Sequence, residues 1–338
     1  MAVAKAVALL PAQNKYVRAS SGLTKITNRF EERSASLQWQ GSRWSGSSAS
    51  RRCDATIASL LKAKARAGLA IVDEDGSCSC CGARLNLIRL TEAQRAAVRR
   101  ELLTRSAPRN PQKQHRLISF SQWLSNRAPF DYVLDGPNLA YAKQNFEGGK
   151  FRFEHLDAIV RHLQGRQKRV LVLLPNKYLT GSDIPNRTSS SKRSSKMTDA
   201  DRALITDWQR QGILYSCAPD LYDDWFWMYA SVAEGAAAEK SVVVTNDAMR
   251  DHWNNLLPQH DFSRWRASQI VGFDVHYATA SGIEGDGELL LQNVEVQKLP
   301  VFSVEAQLID GRWHVPIAGS NPQHWLCIPE IIDRCTRG

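Results

Sequence analysis

The sequence predicts an α/β protein whose core is a parallel sheet covered by helices on both faces. Short apolar runs, "DYVLD", "RVLVLLP", "GILYSC" and "SVVVTND", recur between residues 131 and 247. They are apolar throughout rather than alternating, the mark of strands buried on both faces. Segments of helical periodicity separate them, and parallel strands need such crossovers.

Taken in order, residues 1–52 carry Ala, Ser, Arg and Lys with Glu31 and Glu32 as their acids. "MAVAKAVALLPAQNKYVRASSG" is basic and free of acids, as a transit leader is; that favours a mitochondrion or plastid over the nucleus. "QGSRWSGSSASRR" reads as a linker. "DATIASLLKAKARAGLAIV" has helical spacing, and "DEDGSCSCCGARL" follows as a tight turn. "TEAQRAAVRRELL" sets Thr91 and Gln94 at capping-box spacing, and "ISFSQWLSN" is a further short helix. The α/β pattern then runs from "FDYVLDGPN" through the helix "FRFEHLDAIVRHLQ", the strand "KRVLVLLPN", the helix "TDADRALITDWQRQ", the strand "GILYSCAP" and the helix "DDWFWMYASVAEGAAA" to "KSVVVTND". The basic, Ser-rich "GSDIPNRTSSSKRSSKM" is a mobile loop on this reading. From about Ser268 "GFDVHYATA", "GELLLQNVEVQ" and "FSVEAQLIDGRWHVPI" alternate, which predicts an antiparallel sheet.

The net charge of the 338 residues is +10, unevenly spread. Residues 1–115 hold 20 basic and 8 acidic residues, and the remainder 24 and 26. A basic front half fits a partner with a phosphate backbone. There is no apolar run of about eighteen residues, so no membrane-spanning helix is expected. Seven cysteines, three of them in "CSCCG", suit metal ligation in a reducing compartment better than a disulfide scaffold.

The chemistry sits in aspartates at strand ends. Asp135 closes one predicted strand, Asp247 follows another, and Asp223 and Asp224 follow a third at the mouth of a helix. Ligands of open parallel sheets bind outside the carboxyl ends of the strands. The Asp223–Asp224 pair has a plainer reading as first-turn carboxylates complementing the helix dipole. Gathering four carboxylates is costly without cations, whereas Mg²⁺ or Mn²⁺ requires hard oxygen ligands. The metal reading is therefore preferred, and the same residues can also cap the helix.

"FDYVLDGPNLAYAKQNFEGGKFRFEHLDAIV", "DDWFWMYA" and "VVVTNDAMRDHW" together resemble the metallonuclease domain of protein-only ribonuclease P, a PIN-like fold of the NYN group. The resemblance extends from about Asp73 to Pro329. It implies a PIN-like sheet, with catalytic aspartates at Asp135, Asp223, Asp224 and Asp247 holding two Mg²⁺ or Mn²⁺ ions, and supporting residues at Asn138 and Asp251. It also implies one structural zinc on Cys78, Cys81, His314 and Cys327, with Cys80, His324 and Cys335 as nearby competitors. The zinc would tie a small β-containing module together from the two ends of the chain.

The corresponding division is a basic leader or arm at 1–52, a helical segment with the knuckle at 53–125, the nuclease domain at 126–265 and a β-rich part at 266–338. The implied activity is removal of the 5′ leader of precursor tRNA by two-metal-ion hydrolysis without an RNA subunit, leaving a 5′-phosphate on the tRNA. Alternatives are a nuclease for another structured RNA and a non-catalytic RNA-binding subunit. Plant and animal members carry a pentatricopeptide array that grips tRNA. No such array is visible here, which reads as a minimal or truncated member and points to a protein partner for grip. Lys62, Lys64, Arg66, Arg95, Arg99 and Arg100 are the candidate RNA-binding residues.

Overall fold

The computed structural model describes residues 68–105, 111–186, 194–234, 241–249, 258–278, 290–317 and 324–329. It divides into two compact units. One comprises the described residues up to Ile88 and from Val301 onward; the other is Arg89–Pro300.

The larger unit is built on five parallel strands. β2 (Tyr132–Asp135), β3 (Val170–Pro175), β6 (Leu214–Cys217), β7 (Val242–Val244) and β8 (Ile270–Val271) stand in the order β6-β3-β2-β7-β8. Alternate residues enter two cores. Leu134, Val172, Leu174 and Val244 face the core that includes Leu156, Ile159 and Leu163 of α4 (Phe153–Gln164) and Trp208 of α5 (Asp199–Arg210). Val133, Leu171, Leu173 and Val243 face the other. There they join Leu102 of α1 (Glu92–Arg105), Phe120 of α2 (Pro111–Ser125), Phe226 and Trp227 of α6 (Asp223–Ser231) and Trp265 of α7 (Gln259–Gln269). This two-sided burial is why the strands read as unbroken apolar runs.

Capping behaves as the local sequence demands. Thr198 and Asp201 form a reciprocal capping box at α5. Thr91 and Gln94 exchange the corresponding bonds ahead of α1, at 2.8 and 3.3 Å.

Three elements differ from the sequence reading. The tail is not one antiparallel sheet: β8 joins the parallel sheet, while β9 (Phe273–Ala278) and β10 (Leu290–Val296) form a hairpin in the same unit. The Ser-rich loop contributes β4 (Asp183–Pro185) and β5 (Ser194–Lys196), a hairpin whose Ile184 is buried. The "GLAI" end of the apparent first helix is β1 (Gly68–Ile71). The leader, the linker and the rest of that helix lie outside the described residues.

In the smaller unit β1 pairs with β13 (His324–Pro329), which pairs with β12 (Arg312–Pro316) and so with β11 (Gln307–Ile309), all antiparallel. The unit boundaries also depart from the sequence division. α1 and α2 pack in the core of the larger unit with α6, and the β9–β10 hairpin belongs to the same unit.

Candidate active site

Asp135 is the last residue of β2 and is 4% exposed. Its carboxylate accepts from the Asn138 N–H at 3.3 Å, capping α3 (Gly136–Ala140), and from the Thr245 hydroxyl at 2.7 Å. Gly136 follows because a Cβ there would lie 2.4 Å from the Leu173 carbonyl of β3. Pro137 then suits the first turn, where no N–H is needed. Burial pushes the Asp135 pKa well up, and the charges of Asp223 and Asp224 push it further; the two hydrogen bonds oppose this.

Asp223 and Asp224 open α6, whose N-cap, Tyr222, makes no side-chain capping bond. The helix is pinned by its aromatic run. Phe226 sits edge-on to Phe120 at 5.3 Å between ring centres, and Trp227 stacks on Trp265 at 6.3 Å. A carboxylate that merely caps a helix has its pKa lowered. That of Asp223 is raised to about 6, by burial first and by Asp224 second, with Asp247 adding to it. The pair therefore works against its own charge, which capping does not require.

Asp247 lies three residues beyond β7 and is exposed. Its carboxylate accepts from the Met249 N–H at 2.8 Å, a local turn in which Met249 takes φ +51°. Its own N–H donates to Thr245 Oγ1 at 3.0 Å. Thr245 thus bridges the loop of Asp247 to Asp135. The next residue is a second tie: the Asn246 N–H donates to Asn138 Oδ1 at 3.0 Å, and the Asn246 amide group holds both backbone polar groups of Phe273. Sequence reasoning missed Thr245 and Asn246, although both lie within the "TND" motif; their roles depend on partners 27 to 110 residues away. Asn138 does sit at the site. Asp251 lies outside the described residues.

The cysteine set lies wholly in the smaller unit. The ligand atoms of Cys78, Cys81, His314 and Cys327 all fall within 4.8 Å of one another, a tighter group than the aspartates form. Cys81 Sγ is 3.2 Å and Cys327 Sγ 3.8 Å from His314 Nε2. Edges of about 3.5–3.8 Å are expected around a tetrahedral zinc. The sheet sets this spacing, since His314 and Cys327 are register partners on β12 and β13. The knuckle turns at Gly82, at φ +72°, with its N–H on the Cys78 carbonyl at 2.8 Å. Burial pushes the Cys327 pKa up to about 12, and Arg312 Nε, which donates to Cys327 Sγ at 3.0 Å, opposes that shift. Cys80 is exposed and His324 begins β13, neither within the set; Cys335 lies outside the described residues.

Two of the RNA-binding candidates must be withdrawn. Arg95 and Arg99 are 4% and 7% exposed, and both pair with Glu92. Arg99 also donates to the Val232 carbonyl. Guanidinium groups committed in this way cannot meet a phosphate. Arg100 is exposed, while Lys62, Lys64 and Arg66 lie outside the described residues.

Known proteins are similar to this chain in sequence and in fold. The chain is 28% identical over 271 residues to Proteinaceous RNase P 3 of Arabidopsis thaliana, covering 76% of this chain and 41% of that protein. It is 30% identical over 268 residues to Proteinaceous RNase P 1, chloroplastic/mitochondrial, of the same plant, covering 76% and 40%. The crystal structure of nuclear proteinaceous RNase P 2 from A. thaliana superposes with a TM-score of 0.58 at 25% identity, over 78% of this chain and 49% of that one. The chain thus spans about two fifths of the length of these curated relatives. The family model described as Protein-only RNase P matches residues 72–327, a stretch holding all four aspartates and the whole Cys/His set, and the chain belongs to that family.

Proposed function

We propose that the chain is an RNase P-type endoribonuclease that removes the 5′ leader of precursor tRNA, leaving a 5′-phosphate on the tRNA and a 3′-hydroxyl on the leader. The observation that carries this reading is the carboxylate site. Asp135 and Asp223 are held with raised pKa values by burial and by their aspartate neighbours, a strain that divalent cations relieve. Asp135, Asp223, Asp224 and Asp247 would hold two Mg²⁺ or Mn²⁺ ions, and hard oxygen donors are what those ions take. Bound there, such ions lower the pKa of water and neutralise charge on the phosphodiester.

The chain's own residues supply position. The Asn138 N–H and the Thr245 hydroxyl each hold one oxygen of the Asp135 carboxylate. The aromatic stem of α6 fixes Asp223 and Asp224, and the Met249 N–H fixes Asp247. Cys78, Cys81, His314 and Cys327 would hold one zinc with no position left for water, a structural role. The basic sequence in residues 1–67, or a protein partner, would extend the grip on tRNA beyond the cut. Incubation of the purified chain and Mg²⁺ with 5′-labelled precursor tRNA tests the proposal: release of an intact leader supports it, and no cleavage in Mg²⁺ or Mn²⁺ refutes it.

A further inference from the structure

The rim of the carboxylate site holds two side chains that the catalytic reading leaves without a task. Tyr222 directly precedes Asp223 and is 72% exposed. A ring so exposed contributes little to the core, unlike the buried Phe226 and Trp227 that follow it. Lys177 lies just beyond β3, exposed, with its ammonium 4.9 Å from the centre of the Tyr178 ring. The sheet order sets β3 between β6 and β2, so the Lys177 turn lies between the strand that leads to Asp223 and the strand that ends in Asp135. The Ser216 hydroxyl of β6 donates to Asn176 Oδ1 at 3.2 Å and anchors that turn. Lys177 is close enough to oppose the upward shift of Asp223, so the two residues border one another electrostatically.

A site walled by four carboxylates repels a phosphate backbone, so its rim needs attraction from another source. Aromatic stacking on bases and ammonium contact with phosphate are the two sequence-tolerant ways to hold single-stranded RNA. We propose that Tyr222 and Lys177 form a nucleotide subsite at this rim, the ring stacking on a base and the ammonium contacting a phosphate of the RNA strand beside the scissile bond. The proposal rests on the reading of the chain as an RNA-cleaving enzyme. It adds a grip on one nucleotide that needs no sequence readout, since every base has a π-face.

The test pairs variants with altered substrates. Precursor tRNAs made abasic at single positions on either side of the cut identify the base that matters. Tyr222→Ala lowers kcat/KM about tenfold on the intact substrate, Tyr222→Phe is near wild type, and on the critical abasic substrate Tyr222→Ala causes no further loss. Lys177→Ala lowers kcat/KM, Lys177→Arg restores much of it, and the Mg²⁺ concentration at half-maximal rate does not rise, because removing a cation beside Asp223 does not weaken cation binding. Wild-type rates in Tyr222→Ala, or an equal loss on every abasic substrate, overturns the stacking role. A raised Mg²⁺ requirement in Lys177→Ala overturns the phosphate role. A separate titration uses a short single-stranded RNA containing 2-aminopurine, whose fluorescence falls on stacking. Quenching by the wild-type chain but not by Tyr222→Ala upholds the subsite even if no precursor tRNA is cleaved, in which case the enzyme reading alone fails; equal quenching by both proteins rejects it.

Discussion

At the scale of single residues, the site consists of charges held where water would not put them. Asp224 adds its charge to both Asp135 and Asp223, so it is central to the electrostatics of the group. Asp224→Asn removes a proposed metal ligand while keeping size and shape. We expect cleavage to fall on the order of a hundredfold or more with thermal stability unchanged or raised, since a repulsion is lost. Wild-type rates in single-turnover assays would remove Asp224 from the site. A second charge effect lies away from the aspartates. His155 is fully buried in α4 beside the Tyr277 hydroxyl, and burial lowers its pKa to about 4. The folded state therefore prefers neutral imidazole. Its contribution is complete above the ordinary value of 6.5 and is lost as pH falls from there toward about 4. Protonation of Asp223, whose pKa is raised to about 6, stabilises the folded state over part of the same window, so the effect of His155 is read as a difference. We expect His155→Gln to lose less melting temperature than the unsubstituted chain as pH falls from 6.5 toward 4, and identical pH profiles for the two proteins would exclude His155. The placement of the aspartates was legible in the sequence because Asp135 and Asp247 lie at or just beyond apolar runs and Asp223 and Asp224 open one. His155 was not, because one histidine in "FEHLDAIV" carries no mark of the tyrosine it meets 122 residues later.

At the scale of elements, the basic face of α1 shows how one acid reorganises a stripe of charge. Glu92, Arg95 and Arg99 are spaced i, i+3, i+7, which sets them on one side of the helix. That spacing was present in "EAQRAAVRR", and read as pairing rather than as a basic face it would have buried these arginines correctly. Arg99 ties α1 to the end of α6 through the Val232 carbonyl. Arg99→Gln should therefore cost about 1–3 kcal/mol of stability and leave the salt dependence of RNA binding as it is. A reduced salt slope with unchanged melting would reverse that assignment. The smaller sheet was legible only in part. Its alternation marked strands, but β1 is four residues long and its partner β13 comes more than 250 residues later, so local periodicity could not identify it. The ligand set depends on that pairing. We expect about one zinc per freshly purified chain, lost in His314→Ala, with loss of stability preceding any change in chemistry. Elemental analysis of never-chelated protein that finds no zinc would rule the site out.

At the scale of the whole molecule, the basic charge and the proposed catalytic site lie in different parts of the chain. The aspartates lie in the unit Arg89–Pro300, whereas residues 1–52 alone carry nine basic residues against two acids. A group of carboxylates cannot by itself attract a polyanion, so long-range attraction must come from such basic stretches. With Arg95 and Arg99 occupied by Glu92, the candidates that remain are Lys62, Lys64, Arg66 and Arg100 together with the charges of residues 1–52. Each phosphate contact steepens the dependence of log K on log salt by about 0.7 to 0.9. We expect a chain lacking residues 1–52 to bind precursor tRNA with a slope shallower by several units, and Arg100→Gln with one shallower by roughly one. Single-turnover cleavage at saturating protein should change little in either case, because attraction acts before the carboxylate site engages. Binding titrations between low and moderate salt measure the slopes directly. Slopes equal to wild type in both variants would move the grip on RNA to other residues, and a loss of single-turnover rate without a change in slope would place residues 1–52 in support of the site rather than in attraction.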